Sequence, residues 1–503
     1  MAEKIEALSQ AAFWGFWLQV TKWAAKILAS VLIVRMLGKE QYGFLSVIKI
    51  FVSYVMVFYT LSLEQAILRY LPEIRVLGIK GGAIRFLGKI ISFQTVLWSF
   101  FLVTIFFLSA PLSTRLGGGI QEYLWVAVAL SFFSLLQLDL TNALTTFYKV
   151  KTQVLSGALA ALILLGLFYG VLCHGLGIWG VLFSEALVAA GLSFWFLKEL
   201  RGTFRATKTS EEKTLPISFS RILRFSFPYV CLTLLNQIIW RQSEVFFLAH
   251  YETPSVVGVY NVGFTLPQLA LEFIPSMLGS IGIVGAVEQF IKGVDHLSKG
   301  ITLYYKFLFF LLAPVIVGGA LFSDRLVYFL YGPGFHLSGV LARIYFVIFS
   351  SIFFLVPYGL ANVAEEKIWV AVALSAPFCV LNLLLDFFLI KQFGIWGAVW
   401  AVGITQITGF VATLFCWKRV FPYVVIPWRF IGKCFLAAAP FLLFLPIKIL
   451  SDHLLWFILI CLMMGGLYLW AVRGMRLFGP EEMALFAETR FPFKQQIIGF
   501  LKG

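Results

Sequence analysis

Residues 154–173 read V-L-S-G-A-L-A-A-L-I-L-L-G-L-F-Y-G-V-L-C, twenty positions without a charged side chain. A helix rises about 1.5 Å per residue, so a run of this length crosses the hydrocarbon core of a bilayer. Similar runs recur along the 503-residue chain. In the absence of water each segment must satisfy its own backbone N–H and C=O groups, which a helix does. The expected fold class is therefore an all-α polytopic membrane protein. Composition agrees, since 61% of residues are hydrophobic and only 13% charged. Soluble domains hold about 45–50% and about 25%.

Hydrophobic runs place fourteen spans, at about 13–34, 44–64, 88–110, 123–147, 154–174, 178–198, 226–249, 256–279, 301–323, 340–361, 368–390, 395–417, 431–450 and 454–472. The first run continues past signal-peptide length, so no cleavable leader is expected. Lys and Arg gather in alternate loops. Arg69, Arg75, Lys80, Arg85 and Lys89 follow span 2, and Lys198, Arg201, Arg205, Lys208 and Lys213 follow span 6. Basic loops stay cytoplasmic, which puts both termini inside and the protein in the cytoplasmic (plasma or inner) membrane. The net charge of +15 is then topogenic, and no nucleic-acid partner is expected. The six cysteines lack C-x-x-C spacing and mostly fall in apolar runs. They read as small buried apolar residues. No metal site is expected from five scattered histidines.

One motif invites a different reading. Gly175, Gly177 and Gly180 spell G-x-G-x-x-G, and Glu199 follows at the distance of a ribose-binding acid. That fingerprint binds dinucleotides only between a strand and a helix. Here it separates two apolar runs too long for strands, so it reads as an outer-face turn. Its second half, G-I-W-G at 177–180, recurs at 394–397 between spans 11 and 12. Gly43 in E-Q-Y-G-F-L-S-V and Gly258 in S-V-V-G-V-Y-N-V pair in nearly the same register. Spans 1–6 and 7–12 are therefore expected to be parallel repeats. The expected domains are an N-lobe at 1–200, a cytoplasmic linker at 201–218 and a C-lobe at 219–419. Spans 13 and 14 follow at 420–472, then a cytoplasmic tail at 473–503 that could lie on the membrane as an amphipathic helix.

An ionisable residue within a span costs about 2.5–3.5 kcal/mol on insertion scales, which makes each one a functional candidate. Gln19, Lys22, Lys26 and Ser30 share one face of span 1, and Ser46, Lys49, Ser53 and Thr60 lie roughly on one side of span 2. Thr233, Gln237, Arg241 and Glu244 line span 7; Asn261, Thr265, Gln268, Glu272 and Ser276 line span 8. Such faces imply a water-accessible cavity, basic on its N-terminal half, in which Lys26 and Arg241 are equivalents. Asp139, Glu185 and Asp386 are further acids within spans, with Glu64 at the inner end of span 2. Internal pairing is the alternative, as for Arg241 with Glu244 at i,i+3 or Asp386 with Asn382.

R-M-L-G-K-E-Q-Y-G (35–43), V-V-G-V-Y (256–260) and the paired G-I-W-G turns resemble the polysaccharide-biosynthesis (O-antigen or oligosaccharide, Wzx-like) flippases of the MOP superfamily. The resemblance covers essentially the whole chain through its layout of six, six and two spans. It implies transfer of a polyprenyl-pyrophosphate-linked oligosaccharide from the cytoplasmic to the outer leaflet by alternating access. It also implies no enzyme activity, with membrane lipids and a glycan polymerase or glycosyltransferases as partners. Lys22, Lys26, Lys49 and Arg241 are then the pyrophosphate candidates. Gln19, Gln237, Asn261, Gln268 and Tyr54 are candidates for sugar hydroxyls. Glu244, Glu272, Asp139 and Asp386 are candidates for a coupling H+ or Na+, with no other cofactor.

Two relatives compete. A lipid II flippase would carry an early S-R-x-L-G-x-x-R-D pattern, absent here. A cation-coupled multidrug exporter would need acids where the first half carries three lysines. A membrane glycosyltransferase would need an acid cluster or a long soluble loop, and neither is evident.

Overall fold

In the computed structural model the described residues are 2–76, 81–115, 121–147, 149–206, 218–240, 242–365, 367–446 and 453–479. Among them the regular structure is helical: α1 (Ala2–Thr60), α2 (Leu63–Val76), α3 (Gly82–Arg115), α4 (Gln121–Thr146), α5 (Val150–Cys173), α6 (Gly177–Ala206), α7 (Phe219–Trp240), α8 (Glu244–Tyr251), α9 (Pro254–Lys292), α10 (Val294–Tyr331), α11 (His336–Ser350), α12 (Val356–Ala364), α13 (Ile368–Leu385), α14 (Lys391–Val420), α15 (Trp428–Ala438) and α16 (Leu454–Gly474). Ten helical stretches among the described residues are long and apolar enough to cross a membrane, two of them being Val20–Thr60 and Ile368–Val420. The chain is a multi-pass membrane protein. Most of the linker and the tail beyond residue 479 lie outside the described residues.

Spans 1 and 2 are one long helix interrupted at Gly38, where φ is 73°. Span 7 is divided by the turn between α7 and α8. Span 11 ends in a π-helical turn at Asp386–Ile390, a geometry frequent at functional sites. The G-x-G-x-x-G segment joins α5 to α6 and contains no strand, which removes the nucleotide reading. Gly177 and Gly394 open their G-I-W-G turns with φ of 52° and 53°, a region that costs glycine nothing. Trp179 and Trp396 are both exposed, and Trp179 meets the rings of Tyr123 and Trp125, as at a membrane interface. Two cysteines depart from expectation. Cys173 and Cys461 are exposed, because a thiol on an apolar face needs no protein cover when lipid can supply it.

The chain forms two compact units. One comprises Val20–Gly258 with Ile368–Val402. In it α4 packs on α2, α3 and α6, while α7 packs on α13. Its core joins Leu63, Ile67, Leu71, Phe86, Ile90, Leu140, Leu144 and Phe196. Gly43 and Gly258 meet there backbone to backbone. A Cβ on Gly43 would strike the Pro254 carbonyl, and one on Gly258 would strike that of Lys39.

The other unit comprises Met1–Gln19, Val259–Lys367 and Gly403–Gly503, as far as these are described. Here α10 packs on α11 and α15. Tyr260, Phe264, Tyr345 and Phe349 form an aromatic cluster, in which the Tyr345 hydroxyl bonds that of Tyr260 at 2.9 Å.

Candidate substrate and ion sites

Lys22 and Lys26 lie one turn apart on the first part of α1, and both are exposed. The Lys26 ammonium sits 4.7 Å from the centroid of the Trp23 ring, an attraction that keeps a cation in an apolar setting. The side chain of Gln19 lies outside the described residues. Lys49 behaves differently: its Nζ donates to Glu185 Oε1 at 2.5 Å, tying α1 to α6. Glu185 is thus the local answer to one of the three lysines. Sequence spacing could not have paired residues 136 positions apart.

Further along α1, the Tyr54 hydroxyl donates to the Gln237 carbonyl at 2.8 Å, and Gln237 Nε2 donates to Ser53 Oγ. These contacts bring two sugar candidates, Tyr54 and Gln237, together. Gln237 is largely occupied with α1, and its polar atoms cross-link α7 to it. Arg241 lies outside the described residues.

Just past it the backbone breaks. Gln242 takes φ of 66°, unusual for a non-glycine residue and costing of order 1–3 kcal/mol. Ser243 and Glu244 follow, 2% and 1% exposed, and Asp386 from the π-helical turn is 0% exposed. Ser243 Oγ donates to Asp386 Oδ2 at 2.8 Å. Asn382 Nδ2 lies 2.9 Å from Ser243 Oγ, 2.9 Å from Asp386 Oδ2 and 3.4 Å from Glu244 Oε1. One amide and one hydroxyl therefore serve two buried carboxylates. Glu244 Oε2 and Asp386 Oδ1 have no hydrogen-bond partner among the described residues. The i,i+4 contact of Asn382 with Asp386 was legible in the sequence, whereas Ser243 carried no signal.

Asn261, Gln268 and Glu272 belong to the other unit, along α9. Thr265 Oγ1 donates to Asn261 Oδ1 at 3.1 Å, and Gln268 Nε2 donates to Glu272 Oε1 at 3.0 Å. Four of the five polar residues expected on span 8 therefore form two i,i+4 pairs, and Ser276 Oγ donates to the Phe273 carbonyl at 2.7 Å. Asp139, on α4, is 1% exposed and lies near Glu64 and Gln94.

No curated protein matches the chain significantly by sequence. Among solved structures, the lipid II flippase MurJ in an inward closed conformation is similar with a TM-score of 0.67 at 15% identity, over 94% of this chain and 99% of that one. An inward-facing multidrug resistance MATE family transporter of the MOP superfamily gives 0.64 at 15% identity, over 80% and 94%. A MOP superfamily transporter from Pyrococcus furiosus, described as having a binding pocket of reversed polarity, gives 0.61 at 14% identity, over 82% and 95%. These likenesses establish a MOP-type transporter fold. The family model for polysaccharide biosynthesis proteins matches residues 8–281. With more than half of its length matched, the chain belongs to the polysaccharide biosynthesis protein family.

Proposed function

We propose that the protein is a flippase. It moves a polyprenyl-pyrophosphate-linked oligosaccharide from the cytoplasmic to the outer leaflet by alternating access of an N-lobe (1–200) and a C-lobe (219–419). The linker at 201–218 joins the lobes on the cytoplasmic side. The observation that carries this reading is the pair Lys22 and Lys26 on one face of α1, in a chain of the polysaccharide biosynthesis family. A cation is costly in hydrocarbon and is kept where an anion needs it. A pyrophosphate entering the membrane needs charge-assisted donors to replace its water. Lys22, Lys26 and Arg241 supply them, with Lys49 released from Glu185 when substrate arrives. Gln19, Gln237, Asn261, Gln268 and Tyr54 meet sugar hydroxyls. The Pyrococcus furiosus transporter, described as having a binding pocket of reversed polarity, is a precedent for pockets of differing polarity on this fold.

We assign the coupling cation, H+ or Na+, to Glu244 and Asp386. Two buried carboxylates sharing one amide and one hydroxyl require positive charge nearby. Glu272 is the secondary candidate, because Gln268 already satisfies one of its oxygens. Asp386→Asn keeps the side-chain volume and removes the charge. It is expected to slow flipping at least about tenfold, the scale of one charge-assisted bond, and to abolish its response to a pH or sodium gradient. An unchanged gradient response would move the coupling site elsewhere.

The function itself is tested by deletion. Cells without the protein are expected to accumulate lipid-linked oligosaccharide on the inner leaflet and to lose surface glycan. Normal display together with altered resistance to cationic drugs would favour the exporter reading instead. The protein acts in the cytoplasmic membrane beside the glycosyltransferases that build its substrate and the polymerase that consumes it.

A further inference from the structure

The break at Gln242 has a counterpart in the same unit. The helix of span 2 stops at Thr60 and restarts at Leu63. Between them Leu61 and Ser62 take φ of 46° and 49°, left-handed values without a glycine. Such strain persists only where surroundings enforce it. Two residues after the second break lies Glu244, and two residues after Ser62 lies Glu64. At the second break α13 and its π-helical turn add an amide and a carboxylate, Asn382 and Asp386. At the first break α3 adds Gln94 and α4 adds Asp139, 0% and 1% exposed.

The chemistry of the first break is one-sided. Gln94 Nε2 donates to the Thr60 carbonyl at 3.0 Å, answering the acceptor that the broken helix leaves open. Gln94 also lies against Asp139, and Glu64 is close enough for its charge to act there. Yet Glu64 Oε2, Gln94 Oε1 and both Asp139 oxygens are buried with no hydrogen-bond partner among the described residues. All four atoms are acceptors, and the one amide donor among these side chains, Gln94 Nε2, is engaged with the Thr60 carbonyl.

Among the described side chains, the other charged groups on the packed elements are engaged or exposed. On α6, Glu185 bonds Lys49 and Glu199 bonds Lys149. On α2, Arg69 pairs with Glu73. Lys89 on α3 and Arg221 and Arg224 on α7 are exposed. Thr233 of α7 meets Ser62 at 3.3 Å between hydroxyl oxygens.

We infer that Asp139, Glu64 and Gln94 form a proton-binding site at the broken end of span 2, separate from the Glu244–Asp386 site. One proton taken up on an Asp139 oxygen makes that carboxyl neutral. Its O–H becomes the missing donor, aimed at Gln94 Oε1, and the repulsion between Asp139 and Glu64 disappears. The step is simple protonation and needs no other reactant. The inference deepens the coupling role proposed above by giving the second carboxylate pair its own ligand.

The test is infrared difference spectroscopy of the full-length protein in lipid nanodiscs, taken between acid and alkaline pH without sodium. A protonated-carboxyl C=O band is expected that Asp139→Asn removes and Asp386→Asn leaves in place. Should Asp139→Asn fail to fold, Gln94→Leu is expected to keep the band and move it to the higher frequency of a carboxyl without that hydrogen bond. A band indifferent to both substitutions overturns the proposal. So does one that vanishes when sodium is added, since the site would then hold an alkali cation. No glycan is needed in this measurement. Its failure would leave the flippase reading standing, and a failed flippase reading would leave the proton site standing.

Discussion

Lys22→Ala combined with Lys26→Ala is expected to eliminate surface glycan display while leaving the protein in the membrane at its normal level. Hydrogen bonds to charged groups contribute about 1.5–3 kcal/mol each, so two lysines account for roughly a hundredfold or more in affinity for a pyrophosphate. No sugar contact on α9 could replace that. Both lysines are exposed on α1, so shortening them leaves no cavity in a packed core. Lys22→Arg with Lys26→Arg keeps the charge, and at least part of the display is expected to survive. Immunoblotting of the membrane fraction beside glycan staining of the cell surface separates lost function from lost protein. Full display by the double alanine variant would remove the lysines from the site.

The second large effect belongs to Gly43 and Gly258. A methyl at either position would collide with backbone, the Pro254 carbonyl in one case and the Lys39 carbonyl in the other. Backbone cannot rotate away as a side chain can, and overpacking of this kind typically costs about 1–3 kcal/mol. Gly43→Ala and Gly258→Ala are each expected to lower the melting temperature of the purified protein. The two costs should not add. Once one methyl has pushed the start of α9 from α1, the other finds the space already opened, so the double variant should lose less than the sum. Additive losses would mean that the glycines act at separate contacts.

The same glycines mark how far the sequence could be read. Their register, and that of the two G-I-W-G turns, was visible in the letters alone. That Gly43 and Gly258 touch was not, because periodicity gives the face of a helix but not its neighbour. The apolar runs were legible for a related reason: lipid demands internal backbone bonding, so length and hydropathy suffice. The lysine faces, and the contact of Asn382 with Asp386, followed from helical spacing. Lys49 with Glu185 and Ser243 with Asp386 depend on which helices pack together, information that one chain's spacing does not hold. The breaks at Leu61–Ser62 and Gln242 were hidden for a different reason. Neither carries the glycine or proline that normally announces an interrupted helix, and tertiary contacts impose both.

These buried contacts bear directly on mechanism. Two broken spans, each with a carboxylate just beyond the break and an amide and second carboxylate from elsewhere, resemble in outline the discontinuous helices on which transporters bind ions. Cations on α1 would hold the anionic substrate, and the acids at the breaks would take up the ions that bias its movement. Division of labour of this kind predicts that lysine variants lose substrate binding, whereas Asp386→Asn loses gradient dependence and retains binding.

The most direct test is reconstitution. Purified protein in liposomes would be given a polyprenyl-pyrophosphate oligosaccharide with a fluorescent label, and its appearance in the opposite leaflet followed with a membrane-impermeant quencher. The account predicts rapid transfer by the wild-type protein and transfer no faster than protein-free liposomes with Lys22→Ala/Lys26→Ala. Transfer by the alanine variant at the wild-type rate, or no transfer by the wild-type protein with a gradient applied, would contradict it.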